Sequence, residues 1–342
     1  MLSEKPIIKD IRVLTEQFIP RRIIHRNGQL QEIRDNLKPL VDGEIPRHSF
    51  LNGPPGTGKT CMALYIVDEL KAEVPISSAY INCWSQPSRF KILYSILQSF
   101  GHNFLHRKGT PTDELIDMLK LKMRNKRAVI ILDEADQLED DKVLYDLLEM
   151  EGICLVLIAN TETIFYQSDP RIRSRLHSIN RIRFRPYSTL EISDILKDRI
   201  EFGLVPDSIT REQIEKIGEE SGGDARAALA ILKSAAMDAE NSGAEKILDS
   251  HIDKAVPKSK SIDMDKIIEG LNTQQKILYG IVKSSGEISA SDLYEKFKKI
   301  SIEKGEEEIV DRTARKYVER LEFLGLISSK GDGRWTVYKV VG

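Results

Sequence analysis

Cysteine is scarce in this chain, with three among 342 residues, at Cys61, Cys83 and Cys154. All three sit within apolar runs, no two form a C-x-x-C pair and none has a histidine at ligand spacing, which excludes a disulfide framework or zinc site and predicts buried, reduced thiols. Long apolar runs are missing too: nothing approaches the roughly 20 residues of a membrane span, and the charged stretch from Met1 to Phe18 has no apolar core of signal-peptide length. Both absences point to a cytoplasmic protein with no membrane partner. An excess of one charge is also lacking. With 51 basic and 53 acidic residues the formal net charge is −2, so no global field draws the chain to nucleic acid and any DNA-binding surface has to be local. No internal repeat or low-complexity tract is present, and 41% hydrophobic with 30% charged residues is ordinary for a soluble chain. The length calls for about two or three domains.

What is there centres on Leu51-Asn52-Gly53-Pro54-Pro55-Gly56-Thr57-Gly58-Lys59-Thr60. A short apolar run, Ser49-Phe50-Leu51, enters a glycine-rich turn, and a helical pattern from Cys61 to Val67 leaves it. Gly53, four residues, then Gly58-Lys59-Thr60 is the P-loop spacing. Glycines let the backbone bend until several N–H groups face one oxyanion, and the helix N-terminus adds its partial positive charge. This wraps Gly56, Thr57, Gly58, Lys59, Thr60 and Cys61 around the phosphates of ATP or ADP. Lys59 reaches the β- and γ-phosphates as a point charge, and the Thr60 hydroxyl ligates Mg²⁺.

Upstream, an irregular arm precedes a helix around Gly28–Leu40, ended near Pro39 and Gly43. His25 and Arg26, in Pro20-Arg21-Arg22-Ile23-Ile24-His25-Arg26, are candidates for a nucleotide-base pocket. Downstream, Ser78–Cys83 reads as a strand. Arg89–Phe100 reads as a helix with Phe90, Leu93, Tyr94 and Leu97 inward, and Thr112–Leu121 as another with Asp113 and Glu114 in its first turn. The run Ala128-Val129-Ile130-Ile131-Leu132 suits a parallel strand buried on both faces, and it ends on Asp133 and Glu134 at the edge where an open α/β sheet binds its ligand. Asp133 is the expected Mg²⁺ carboxylate and Glu134 the base for the attacking water. A third buried strand, Ile153–Ala159, ends on Asn160, whose amide can orient that water. Arg171 and Arg175 are both candidates for an arginine finger donated to a neighbouring subunit. Arg181, Arg183 and Arg185 alternate with Ile182 and Phe184, a strand with one basic face.

From Pro186 to about Val256 the pattern is all-helical, with Ile192, Ile195, Leu196 and Ile200 on one stripe and a small-residue helix opened by Ser221-Gly222-Gly223-Asp224. Pro257-Lys258-Ser259-Lys260-Ser261 has linker composition. Beyond it come a helix capped by Thr273, one started by Ser291 or Asp292, and one over Arg312–Leu324 capped by Asp311 and closed by Gly325. A hairpin turning at Lys330-Gly331-Asp332-Gly333 follows. Helices followed by such a hairpin make a winged helix, whose third helix enters the major groove. From Arg312 to Gly342 seven basic residues face three acidic ones. Arg312, Arg315, Lys316, Arg320, Lys330 and Arg334 are the candidate DNA contacts.

With these motifs in order, the chain resembles an AAA+ ATPase, and the added winged helix is similar to the archaeal ORC-type replication initiators across nearly the whole length. The resemblance implies an α/β fold: an AAA+ P-loop parallel sheet domain over 1–185, a helical lid over 186–256, a linker over 257–269 and a winged-helix domain over 270–342. It also implies that Tyr187 and Arg199 line the nucleotide site, and that Arg226 of Gly223-Asp224-Ala225-Arg226 is the lid arginine that senses the γ-phosphate. The implied function is ATP-switched initiation with slow hydrolysis, on double-stranded origin DNA, with a replicative helicase and other initiator subunits as partners. A branch-migration motor shares the same modules but would form hexameric rings with steady turnover. An ATP-liganded transcriptional regulator would occupy promoters, and clamp-loader subunits lack the basic C-terminal end.

Overall fold

The computed structural model describes residues 6–44, 46–102, 110–162, 168–256, 268, 270–303, 311–331 and 336–340. The chain divides into two compact units, Met1–Pro257 and Lys258–Gly342.

The first unit is built on five parallel strands, β1 (Ser49–Asn52), β2 (Ser77–Asn82), β3 (Ala128–Asp133), β4 (Ile153–Ala159) and β5 (Asn180–Arg183), in the order β2-β3-β4-β1-β5. Every residue of β3 and β4 is buried, as expected for strands covered on both faces. Helices α1 (Asn27–Asp42) and α2 (Lys59–Glu73) cover one face, where Leu37, Ile66, Val129, Ile131 and Val156 pack together. Helices α3 (Arg89–Ser99), α4 (Thr112–Met123), α5 (Lys142–Leu148) and α6 (Pro170–Leu176) cover the other, over Ile81, Ile130, Leu155 and Leu157. Strand order reverses between β4 and β1, so the loops after these strands open at the switch point where such sheets bind ligands. All three cysteines are free thiols; Cys83 and Cys154 are buried, as expected, whereas Cys61 is half-buried.

One local reading shifts. Helix α1 runs through Pro39 to Asp42, giving up the one backbone hydrogen bond that Pro39 cannot donate. Gly43 then closes it at φ 86°, its N–H donating to the Pro39 carbonyl. His48, just before β1, accepts a hydrogen bond at Nδ1 from the Leu155 N–H at 3.0 Å, and burial pushes its pKa down from 6.5. The folded chain therefore needs the neutral ring, whereas the unfolded chain takes up a proton below about pH 6.5. Stability should fall as pH drops through that window. Replacing His48 with Gln should flatten this part of a melting-temperature profile between pH 7.5 and 5.5; an unchanged profile would exclude His48 as its source.

The all-helical region contains α7 (Thr189–Gly203), α8 (Arg211–Glu220) and α9 (Ala225–Asn241). Capping boxes at Ser188/Glu191 and Thr210/Gln213 fix the starts of α7 and α8. Its core includes Ile192, Leu196, Ile217, Leu232 and Ala236, and also Ile7 and Leu14 from the far end of the sequence. The N-terminal arm is therefore not irregular padding on the sheet domain. The Val205 N–H donates to the Ile7 carbonyl at 2.8 Å, the Lys9 N–H to the Gly203 carbonyl at 2.9 Å, and the Ile8 N–H to Glu240 Oε1 at 3.0 Å. Two apolar residues in a charged arm fill a seat that α7 and α9 leave open.

The second unit holds α10 (Thr273–Ser285), β6 (Glu287–Ser289), α11 (Ala290–Glu303), α12 (Asp311–Phe323), β7 (Ile327–Lys330) and β8 (Val337–Val340). Its three strands are antiparallel in the order β6-β8-β7. The expected inner stripes are buried, with Leu278 and Val282, Leu293 and Phe297, and Val318 and Leu321 turned inward. The caps differ from those expected by one to a few residues. Asn272, not Thr273, caps α10 in a box with Gln275. Ser289, not Ser291 or Asp292, receives the first-turn N–H of α11, from Asp292 at 3.2 Å. In both cases the residue just before the helix receives the first-turn N–H, and the competing side chain lies one to three residues further in. Gly325 follows α12 at φ 66°, as expected. The linker Pro257–Ser261 and most of the hairpin turn, including Asp332, Gly333 and Arg334, lie outside the described residues.

Candidate functional site

The turn between β1 and α2 is shaped by glycine where side chains would collide. Gly53, at φ 148°, leaves no room for a Cβ beside the Phe184 carbonyl, and Gly56, at φ 68°, leaves none beside the Asp224 carboxylate. The loop this creates ends on the N-terminus of a 15-residue helix, a cradle suited to a phosphate chain. Lys59 occupies it, buried, with Nζ donating to the Gly53 carbonyl at 2.6 Å, the Pro54 carbonyl at 2.8 Å and Asn160 Oδ1 at 3.0 Å. Burial lowers its pKa to about 8, against the pull of Asp133. The Thr57 hydroxyl donates to the Pro54 carbonyl at 2.8 Å, inside the turn.

The end of β3 meets the start of α2. Asp133 Oδ2 accepts from the Thr60 hydroxyl at 2.8 Å and from the Tyr80 hydroxyl at 2.9 Å, while Oδ1 accepts from the Glu134 N–H at 2.9 Å. Glu134 takes the left-handed conformation, φ 55° and ψ 45°, which is unusual for a non-glycine residue and is found at functional sites. Lys59, Thr60, Asp133 and Asn160 are thus brought together as the motifs predict, with Glu134 adjoining Asp133. A hydroxyl and a carboxylate side by side are hard oxygen donors that fit Mg²⁺. Among the described residues no group of three or more His, Cys, Asp or Glu could hold a metal alone; a Mg²⁺ held by Thr60 and Asp133 would take its other ligands from water and phosphate oxygens.

The lid closes onto the same turn. The Ala225 N–H donates to the Gly56 carbonyl at 3.0 Å, and Asp224 caps α9 through the N–H groups of Arg226 and Ala227. The Arg226 guanidinium stands 3.7 Å from Asp224, half-exposed at the loop, and its charge contributes to lowering the Lys59 pKa. The Tyr187 hydroxyl lies 2.8 Å from where a Cβ on Gly58 would be. Arg26 is fully buried, with its guanidinium 3.8 Å from the Tyr187 ring centre and Nη2 donating to the Arg185 carbonyl at 2.6 Å. His25, at φ 61°, pairs with Asp194 at 3.0 Å and lines an open cavity of about 520 Å³ with Ile23, Ile24, Asn27 and Lys197. Cys61 stands one residue past Thr60 in α2, its thiol pushed up by burial. Arg199 stands close enough to Cys61 for their charges to interact; it also donates to the Val13 and Phe18 carbonyls at 3.5 and 3.2 Å and lies over the Phe18 ring, fastening the arm to α7.

Arg171 is exposed in the first turn of α6. Arg175 lies over the Tyr145 ring, 4.6 Å from its centre, and pairs with Glu149 at 2.8 Å. Arg181, Arg183 and Arg185 point outward while Ile182 and Phe184 are buried, as their alternation predicts. In the second unit Arg315 and Lys330 are exposed and Arg320 is half-buried. The side chains of Arg312 and Lys316, and all of Arg334, lie outside the described residues. Two site residues escape the sequence reading. Asp224 is quoted there only as part of a run, and Tyr80 reads as a strand aromatic. The spacing of Tyr80 two residues before Asn82, with Asn82 paired to Asp133, becomes informative only once strand order is known.

Residues 46–164 match the AAA domain family and residues 193–257 the Cdc6 AAA+ ATPase-type lid domain. The chain is 35% identical over 338 residues to ORC1-type DNA replication protein 9 of Halobacterium salinarum, covering 98% of this chain and 94% of that protein. It is 39% identical over 294 residues to ORC1-type DNA replication protein 1 of the same organism, covering 85% and 95%. The solved structure of the Aeropyrum pernix ORC1 protein in complex with DNA superposes with a TM-score of 0.80 at 24% identity, over 98% of this chain and 94% of that one. This last likeness is one of fold. Among the described residues no helix is long and apolar enough to cross a membrane.

Proposed function

The chain belongs to the ORC1-type DNA replication proteins, AAA+ ATPases that act in replication initiation, and from that premise we propose that it is an origin-binding initiator switched by ATP and by slow hydrolysis. The observation that carries the switch is the bond from the Ala225 N–H to the Gly56 carbonyl. The lid helix bearing Arg226 begins on the loop that would cradle the triphosphate, so a change in the loop reaches the lid without an intermediary. Lys59 and the loop N–H groups bind the phosphates, Thr60 and Asp133 hold Mg²⁺, and Tyr187 with the His25–Arg26 stretch borders the base. Mg²⁺, when bound, supplies positive charge against the β- and γ-phosphate oxygens. Glu134 accepts a proton from the attacking water and Asn160 orients that water. Arg226 contacts the γ-phosphate and loses this contact after hydrolysis, which shifts the lid between two arrangements. Hydrogen exchange along α9 should differ between ATP and ADP, and Arg226→Ala should erase the difference; a difference that survives would remove Arg226 from the switch.

Turnover is slow because the finger comes from a neighbouring subunit, a contribution of about 10³–10⁵ in rate. Arg171→Ala and Arg175→Ala separate the two candidates. The variant that lowers hydrolysis only in the assembled, DNA-bound protein identifies the finger, and if neither does so the finger is elsewhere.

The pKa of Lys59 adds a pH dependence. A bound polyphosphate favours the ammonium form, whereas the empty site releases that proton above about pH 8. ATP affinity should therefore hold up to about pH 8 and then fall, by at most about tenfold per pH unit, with proton uptake on binding. Calorimetry in two buffers at pH 9 checks the proton count.

The second unit we read as a winged helix, with α12 in the major groove and the β7–β8 hairpin on the backbone. Arg312, Arg315, Lys316 and Arg320 in α12 and Lys330 in β7, with Arg334 a few positions further along the sequence, make this end locally basic in a chain of net charge −2. About four to six phosphate contacts give a slope of log K against log salt of roughly −4 to −5. A flat salt response would turn this unit into a protein-contact module. Genome-wide mapping should find the protein at replication origins, beside the replicative helicase it helps to load; occupancy confined to promoters would overturn the initiator reading.

A further inference from the structure

Tyr80 is an exposed aromatic on an edge strand, a position that natural sheets usually cover with charge. Strand β2 ends the sheet, and the Tyr80 side chain is 42% exposed, so burial of the ring does not account for it. The register does. Asn82 pairs with Asp133 and Tyr80 with Ile131; Tyr80 therefore stands diagonally from Asp133 on the same sheet face, within reach of a long side chain. Its hydroxyl donates to Asp133 Oδ2 at 2.9 Å, the oxygen that also accepts from Thr60 at 2.8 Å, while the Glu134 N–H holds Oδ1 at 2.9 Å. A carboxylate oxygen has two lone pairs. Both on Oδ2 are engaged and one on Oδ1 is left, so the carboxylate is fixed at three points with a single acceptor site still open.

We propose that Tyr80 is a positioning residue for the cation site, holding the Asp133 carboxylate in the orientation in which it and the Thr60 hydroxyl receive Mg²⁺ beside the triphosphate. Without the phenol, Asp133 keeps its other two partners but can turn about its side-chain bond. Residues that orient metal ligands in this way typically contribute about 10–100-fold to metal affinity. This rests on the nucleotide-site reading given above.

The test is Tyr80→Phe in the full chain, with a fluorescent ATP analogue titrated in EDTA and then at increasing MgCl₂. In the variant, half-saturating Mg²⁺ should rise at least about tenfold, while affinity in EDTA and the melting temperature match the parent. A ring that only supports the strand would instead lower the melting temperature and the EDTA affinity together, and that outcome overturns the proposal. A Mg²⁺ curve that superposes on the parent's also overturns it, leaving the nucleotide site intact. If the parent itself shows no Mg²⁺ dependence, the reading of the site falls and the proposal with it.

Discussion

Lys59→Ala should lower ATP affinity by about 100-fold or more, below detection in an ordinary titration. Its ammonium is the only side-chain cation that hydrogen-bonds within the turn among the described residues, and it is already desolvated. A charged hydrogen bond in such a setting contributes about 1.5–3 kcal/mol, and Lys59 is positioned to make more than one to a triphosphate. The same three donors now satisfy the Gly53 and Pro54 carbonyls and Asn160, so the alanine also loosens the empty loop. Lys59→Met keeps the stem and separates the two effects: its melting temperature should lie closer to the parent's while its ATP affinity stays lost. Binding within about threefold of the parent in the methionine variant would remove Lys59 from the phosphate site.

Glu134→Gln should leave ATP affinity within about twofold and lower the turnover number by about 10²–10⁴, the usual contribution of a positioned general base. The amide keeps the shape of the side chain and cannot take a proton. Its backbone should be unaffected, because the left-handed turn at Glu134 is secured by its own N–H on Asp133. Single-turnover hydrolysis of radiolabelled ATP checks the chemical step apart from product release, and normal turnover in the variant would sink the role assigned to Glu134.

The elements around the phosphate loop are legible in sequence because each is local. A glycine-rich turn between a strand and a helix, and apolar runs ending in Asp133 or Asn160, carry their structure within ten residues. The inner stripes of α10, α11 and α12 are legible for the same reason, since burial follows helical spacing. What escapes is decided by contacts distant in sequence. Nothing near Ile7 or Leu14 indicates that they complete the core of α7 to α9. Nothing near Tyr80 indicates Asp133, 53 residues on. Arg199 combines the two kinds: the resemblance puts it at the nucleotide, and only the fold shows that its guanidinium also bonds the arm, at the Val13 and Phe18 carbonyls.

The arm that seats Ile7 and Leu14 in the lid also sets an order of events during synthesis. Residues emerge from the ribosome from the N-terminus onward, and earlier domains usually fold first. The arm leaves the tunnel well before Gly203, Leu204 and Glu240, its partners, and has to wait, unpaired, while the five-stranded sheet forms behind it. The arm can dock only once α7 and α9, which carry its partners, have been made. A lid fragment cut at residue 186 would lack them and expose an apolar seat, whereas supplying residues 6–18 as a separate peptide should restore it.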